Sequence, residues 1–347
     1  DIISIRHMSK YSTIAVIYGG DSSEWEVSCR GGEFVASRID EDKYDVYQIV
    51  ARFGKWELVA YRKKNSMRVA FPESARPIVD KTDFSVNVLG EKVKFDFAYI
   101  MIHGAPGETG ELQGYLEMLK VPFSSCSSFS SAVAFDKYAC KSFIRNLGIV
   151  KCAPDVFVRE GSQTEAGALE AAAKLKFPLF VKPTRAGSSF GITRVTEAGQ
   201  LPQAIKFAFS ESKTVIVEQG VSGRELTCAT YFDGEKISTL PLIEIVSENE
   251  YFDYEAKYFG KSREVCPAEI TEEQRAVVWD YTTRIYRHFQ GRGMIRVDYI
   301  MKPSGEVYFL EINPVPGMTK MSLVPAQIRA AGYDLSDVMD TILDETL

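Results

Sequence analysis

The residues best able to do chemistry together stand near the end of the chain, in MIRVDYIM and EVYFLEINP. These alternating runs flank Lys302-Pro303-Ser304-Gly305, a turn signal, and predict a hairpin closing Met301 against Glu306. Side chains on one strand face recur every second residue, so Arg296 and Asp298 share a face, as do Glu311 and Asn313 on the partner strand. In that register Arg296 stands opposite Glu311, and Asp298 is diagonal to it, within reach of a shared ion. Two carboxylates and an amide oxygen suit a hard cation such as magnesium, which takes one or two carboxylates and fills its octahedron with water and phosphate. Val297, Tyr299, Leu310 and Ile312 are apolar enough to make the opposite face core. A solvated polar face on an edge hairpin is the alternative that spacing leaves open.

A second cluster is KPTRAGSSFGI, which puts Lys182 at a strand end and then Gly187, Ser188, Ser189 and Gly191 in a loop returning into another strand. Backbone N–H groups of such a loop can wrap phosphate oxygens, and the hydroxyls and the lysine add donors and charge. No G-x-x-x-x-G-K-[ST] occurs in the chain, and no helix follows the loop, so a flexible cover over a nucleotide is the better reading than a Walker A cradle. Gly187 to Gly191 also spells G-x-S-x-G. A hydrolase with Ser189 as nucleophile would need a helix directly afterwards and a downstream histidine, and His288 falls in an ordinary helix-like stretch. A plain hairpin of small polar residues remains the bland alternative.

Two further places lie where α/β sheets hold ligands, just after a strand. Gly19 to Glu26 leads from the first strand into a helix, and Glu24 or Glu26 could hold a substrate ammonium, although acids in a first helical turn also serve the helix dipole. His103-Gly104 follows the strand Phe97 to Ile102.

The elements that must position these groups belong to a large globular chain. Its 347 residues predict two or three domains. Forty-one basic against forty-seven acidic side chains leave −6, which disfavours coating of nucleic acid or anionic membrane, so any anion site must be local. The longest apolar run is the six residues Phe97 to Ile102, far below the ~20 of a membrane span. Three histidines offer little to zinc, and six cysteines without a C-x-x-C pair read as free thiols of a reducing compartment, the cytoplasm. Residues 1–10 carry no signal core, and His7-Met8 reads as a cloning junction.

Three blocks follow. Residues 11–126 alternate strand and helix (Ile14 to Tyr18, Val27 to Ile39, Tyr44 to Val50, Phe97 to Ile102, Glu111 to Leu119) and predict a small parallel α/β sheet. Residues 127–221 begin with one long helix, Ser131 to Leu147, followed by a β-α-β-β series. Residues 222–347 hold strands, a helix Glu272 to Phe289, the hairpin and terminal helices. They also contain Val246 to Val265, rich in charge and tyrosine and long enough to be a lid.

Taken in order, VIYGGDSSEWEVS, IHGAPGETGELQGYLEML, FDKYACK, FVKPTRAGSSFGI, VEQGVSGRELT, FDYEAKY, IRVDYI and EINPVPGMTKMSLVP resemble the D-alanine-D-alanine ligase family of the ATP-grasp superfamily, from Thr13 to Leu343. The resemblance implies an α/β (α+β ATP-grasp) fold of three domains, an N-terminal parallel α/β sheet followed by two ATP-grasp domains enclosing the nucleotide. It implies ATP-dependent ligation of two D-alanines through an acyl phosphate, for peptidoglycan precursors, in a cytoplasmic homodimer that needs neither nucleic acid nor membrane. Lys137 and Lys182 would contact phosphates, with Ser188-Ser189 over the triphosphate. Glu218 would meet the adenine edge and Glu225 the ribose, with Val221 and Lys257 completing the ATP site. Asp298, Glu311 and Asn313 would hold two magnesium ions, replaceable by manganese.

By the same resemblance Glu26 holds the first substrate's ammonium, Arg296 and the Gly317 N–H form an oxyanion hole, and Ser322 receives the second carboxylate. His103, Lys257 and Tyr258 complete the substrate set, and Ser188 and Tyr258 join the catalytic one. Tyr258 in the lid favours a second D-alanine over D-lactate. Pro106, Pro314 and Met321 depart from the family's frequent residues and bear on substrate affinity. D-lactate or D-serine as acceptor, and a nucleotide-binding regulator without turnover, are the competing readings.

Overall fold

The computed structural model describes residues 10–161, 165–187, 191–247 and 262–345. Its first sheet is built on Thr13–Gly19, a β-branched run buried along nearly its whole length. Asp45–Arg52 and Phe97–Met101 pair with it in parallel on either side. The sheet is mixed rather than wholly parallel, because Lys55–Arg62 and then Val69–Ala70 add antiparallel at one edge. The reason is local: Phe53 and Gly54, both with positive φ, make a two-residue connection, and so short a turn can only join antiparallel neighbours. A three-stranded antiparallel sheet between Val79 and Lys94 lies beside it.

The expected long helix is two. Ser128–Phe135 and Lys137–Leu147 are separated by Asp136, whose extended backbone breaks the first helix and whose carboxylate caps the second through the N–H groups of Tyr138 and Ala139. Both helices pack against the C-terminal sheet rather than joining the central block, and Lys151–Cys152 even adds to that sheet, parallel to Val307–Asn313. The central sheet proper is antiparallel, in the order Asp155–Arg159, Thr214–Gln219, Leu179–Pro183, Thr193–Val195. With helices Glu165–Ala173 and Leu201–Ala208 it closes a core of its own around Val158, Leu179, Val181 and Val217.

The C-terminal sheet runs Ser262–Val265, Ile243–Ser247, Arg224–Phe232, Ile295–Met301, Val307–Asn313, Lys151–Cys152, with Ile237–Thr239 also on Arg224–Phe232. The two ends of the expected lid are therefore strands, Val246 standing opposite Arg263, while residues 248–261, which include Lys257 and Tyr258, lie outside the described residues. Helices Leu323–Ala330 and Leu335–Glu345 return to the first sheet, where Val324, Ile328, Met339 and Leu343 share a core with Ile14, Val16 and Phe97. The first and last parts of the chain are thus one packed body.

Candidate active site

The C-terminal hairpin forms with a register the sequence does not display. Met301 stands opposite Val307 rather than Glu306, yet Asp298 stands opposite Glu311 and Arg296 opposite Asn313. The extra residue is Leu310, in a bulge facing Asp298 and Tyr299. A straight strand would hold Phe309 and Glu311 on one face. The bulge instead sends Phe309 into the core beside Tyr299 and leaves Glu311 next to Asp298. Leu310, expected in the core, is only partly buried.

Asp298 is buried, and Arg296 grips it with Nε to Oδ1 at 2.9 Å and Nη2 to Oδ2 at 2.8 Å. Thr227, opposite Asp298 on the neighbouring strand, donates its hydroxyl to Oδ1. Burial alone would weaken the Arg296 proton affinity, but Asp298, then Glu311 and Glu225, outweigh it and drive its pKa up. The pair uses only two of five guanidinium N–H groups. Among the described residues no cluster of three or more His, Cys, Asp or Glu side chains is arranged for a metal. The donor set here is two carboxylates and an amide. Asp298 and Glu311 are directly opposed and Asn313 is the next residue outward on that face, its Oδ1 accepting from Val315 N at 3.3 Å. Such a set fits a hard cation that completes its shell with phosphate.

The glycine loop begins where the sequence places it. Lys182 is the penultimate residue of its strand, and its Nζ lies 2.9 Å from Glu218 Oε2. Lys137, first residue of its helix, donates Nζ to Ala186 O at 2.7 Å, so the helix and the loop are joined. Ser188 and Ser189 lie outside the described residues. Glu218 is buried and bound by Lys182 and also by Lys141, whose Nζ is 2.8 Å from Oε1. Burial pushes against ionisation of Glu218, and the two lysines overcome it and hold its pKa down at about 2. Val221 follows in the turn between the central sheet and Arg224–Phe232, and Glu225 lies on that strand across from Ile300.

In the first part of the chain the two acids of the helix start lie differently. Glu26, the residue assigned to the substrate ammonium, is exposed on the side of its helix. Glu24 faces the site instead: a Cβ on Gly187 would lie 2.9 Å from Glu24 Oε2, and Glu24 acts electrostatically on Glu108. The cause is the helix start, since Trp25 is the first helical residue and Glu24 occupies its N-cap, projecting from the helix end. His103 is buried, its N–H donating to Ser28 Oγ at 2.9 Å and its carbonyl accepting from Ser22 Oγ at 2.8 Å. Gly317 and Ser322 come together, a Cβ on Gly317 meeting Ser322 Oγ at 3.0 Å. Ser322 Oγ accepts from Thr319 N at 3.0 Å and makes no bond to its own helix.

Four residues were not singled out from sequence. Glu108 accepts from Gly104 N at 2.6 Å, and burial, then the neighbouring Glu24 and Glu311, push its pKa up to about 8. It lies in the same glycine-rich loop as His103, so a signal was present. Lys141 also had one, being four residues and one helical turn beyond Lys137. Thr227 and Glu264, whose field reaches Arg296, gain their places through strand pairing alone.

Comparisons with known proteins identify the family. Residues 13–126 match the family described as D-ala D-ala ligase N-terminus, and residues 143–344 match D-ala D-ala ligase C-terminus. D-alanine--D-alanine ligase of Parabacteroides distasonis is 41% identical over 334 residues, 96% of this chain and 97% of that one. The Porphyromonas gingivalis protein of the same name is 38% identical over 338 residues, covering 97% and 98%. Among solved structures, the VanG D-Ala:D-Ser ligase of Enterococcus faecalis superposes with a TM-score of 0.85 at 30% identity, over 96% of this chain and 99% of that one. The Bacillus anthracis D-alanine--D-Alanine ligase complexed with ATP gives 0.71 at 28%, over 96% and 95%. With both halves matched and such relatives covered over nearly their whole length, the chain belongs to the D-alanine-D-alanine ligase family.

Proposed function

We propose that this chain joins two D-alanine molecules into D-alanyl-D-alanine with ATP, through an acyl phosphate, for peptidoglycan precursors. The observation that carries this reading is convergence. Glu24 of the first domain abuts Gly187 of the nucleotide loop, and Glu108 beside it feels both Glu311 and Arg296 of the hairpin. Three separate parts of the chain thus address one space.

A carboxylate resists an amine because it is negative and lacks a leaving group. In the proposed reaction Glu24 holds the first D-alanine's ammonium, and that substrate's carboxylate oxygen attacks the γ-phosphorus as the bond to ADP breaks. Lys137 and Lys182 offset charge on the phosphates. Asp298, Glu311 and Asn313 would hold magnesium, or manganese in its place, which supplies charge neutralisation at the transferred group. The amine of the second D-alanine then attacks the acyl carbonyl, and the unused N–H groups of Arg296 with the Gly317 N–H meet the oxyanion before phosphate leaves. Ser322 receives the second substrate's carboxylate, and His103 takes part in binding the substrates. Glu218, Val221 and Glu225 take the adenine and ribose. Ser188, Ser189, Lys257 and Tyr258 belong to the same proposal as residues that act on ATP and the substrates, and the acyl phosphate needs a site shielded from water, because water destroys it.

The test is phosphate release from ATP and magnesium with no amino acid, with D-alanine, and with D-alanine plus D-serine or D-lactate. D-alanine-dependent release with D-alanyl-D-alanine as the product supports the reading. Release only when D-serine is added would move the acceptor to that named for the Enterococcus faecalis relative. No amino-acid-dependent release would leave a nucleotide-binding regulator. A homodimer and a cytoplasmic location belong to the same proposal. For the location, the support is that none of the six cysteines is in a disulfide, as fits a reducing compartment. Light scattering on the purified chain tests the dimer.

A further inference from the structure

Lys141 has no part in the reaction as described, yet it is among the most buried charges of the chain, 2% exposed. Its ammonium has three N–H groups and three acceptors: Glu218 Oε1 at 2.8 Å, Asp155 Oδ2 at 3.0 Å and Ala153 O at 3.1 Å. Glu218 is held from two sides, and the sides differ. The Lys141 side chain is 3% exposed and that of Lys182 15% exposed, so Lys141 stands behind the carboxylate and Lys182 in front, at the head of the nucleotide loop. If Lys182 turns to a phosphate, as the proposed function has it, one Glu218 oxygen is left for the nucleotide while Lys141 still holds the other.

We propose that Lys141 is a positioning residue that keeps Glu218 as an ionised, oriented acceptor and thereby sets the preference for a 6-aminopurine over a 6-oxopurine nucleotide. This rests on the reading of Glu218 as the adenine-edge residue. The chemistry is direct. A carboxylate can only accept, so it pairs with an exocyclic amine and repels a carbonyl oxygen. A protonated carboxyl can donate to that oxygen. Glu218 is buried deeply enough that, without a cation behind it, the neutral form gains ground. Lys141 cannot reach the front of the carboxylate, since all three of its N–H groups are taken. Its effect on the base must pass through Glu218.

The experiment is steady-state ligation with ATP and with ITP, for the full-length wild-type chain, Lys141→Met, Glu218→Gln and the double variant, each checked for folding by circular dichroism and thermal melting. Lys141→Met is expected to raise KM for ATP about tenfold or more with kcat within about threefold, and to lower the ATP-over-ITP ratio of kcat/KM about tenfold. The double variant should match Glu218→Gln in that ratio. If folded Lys141→Met keeps the wild-type ratio, or loses both nucleotides equally, the proposal is overturned. It is equally overturned if the ratio falls further in the double variant than in Glu218→Gln alone. Should Glu218→Gln itself leave the ratio unchanged, the adenine-edge reading fails instead. If Lys141→Met does not fold, Lys141→Gln, which keeps a donor but no charge, is read in the same assay against the same outcomes.

Discussion

Asp298 carries two loads at once. It belongs to the proposed metal face, and it is the counter-ion of a buried arginine with Thr227 also bound to it. Its removal therefore mixes chemistry with stability. Asp298→Asn should abolish ligation and also cost about 1–3 kcal/mol, since Arg296 is left without its charge partner. Glu311→Gln is the cleaner probe, because among the described residues no hydrogen bond is made to the Glu311 side chain. It should lower kcat by about 100-fold or more at any magnesium concentration, with the melting temperature within about 2 °C of wild type. Phosphate release and scanning calorimetry read both. The two acids of the first helix separate in the same way. Glu24→Gln should raise KM for the first D-alanine by about tenfold or more, while Glu26→Gln, on an exposed helix side, should change it by less than about twofold. Equal effects of the two substitutions would remove Glu24 from the ammonium site.

At the scale of elements, the hairpin works because of an irregularity. Alternation along EVYFLEIN makes Phe309 and Glu311 compete for one face, and the bulge at Leu310 satisfies both. The approach to this hairpin is equally constrained. Gly293 has φ +59°, and a Cβ there would lie 1.8 Å from the carbonyl oxygen of Ser124, which belongs to the end of the first domain. Gly293→Ala should destabilise the chain by about 2–4 kcal/mol, measured by urea unfolding, because both the backbone conformation and the close approach are lost. The helix Lys137–Leu147 is the other element with a double task. Asp136 starts it, and it presents Lys137 to the glycine loop and Lys141 to Glu218 from successive turns.

Across the whole molecule, the first and C-terminal sheets are tied by a shared core, whereas the central sheet closes its own. An ion network is one link between them: Lys141 comes from a helix packed on the C-terminal sheet, and Glu218, Asp155 and Lys182 come from the central one. The link has a pH signature. Glu218 titrates near 2 when folded and near 4.5 in its ordinary state, so its contribution is complete above about pH 4.5 and is lost as pH falls toward 2. Lys141 is raised above its ordinary value and stays charged throughout that window, so it adds no slope there. Glu218→Gln should melt below wild type at pH 7, with the gap closing between about pH 4.5 and pH 2. A gap that is constant with pH would mean that the carboxylate is not held ionised by this network.

Much of the site was legible because its chemistry is local. KPTRAGSSFGI, IRVDYI and EINP each place donors at spacings that survive any packing, and the strands beneath them follow from alternation. The sequence by itself therefore determined the α/β class, the lysine at the head of the glycine loop and the oxygen face of the hairpin. Tertiary structure decided what depends on partners distant in the chain. It set Glu24 rather than Glu26 beside the glycine loop by where the helix begins, and it turned Glu311 beside Asp298 by a bulge that packing of Phe309 imposes. It set Thr227 on Asp298 through strand pairing, and it gave the helices 128–147 to the C-terminal core. Periodicity reports which face a residue takes within its own element. Which element covers that face is settled only when apolar surfaces compete for burial across the whole chain.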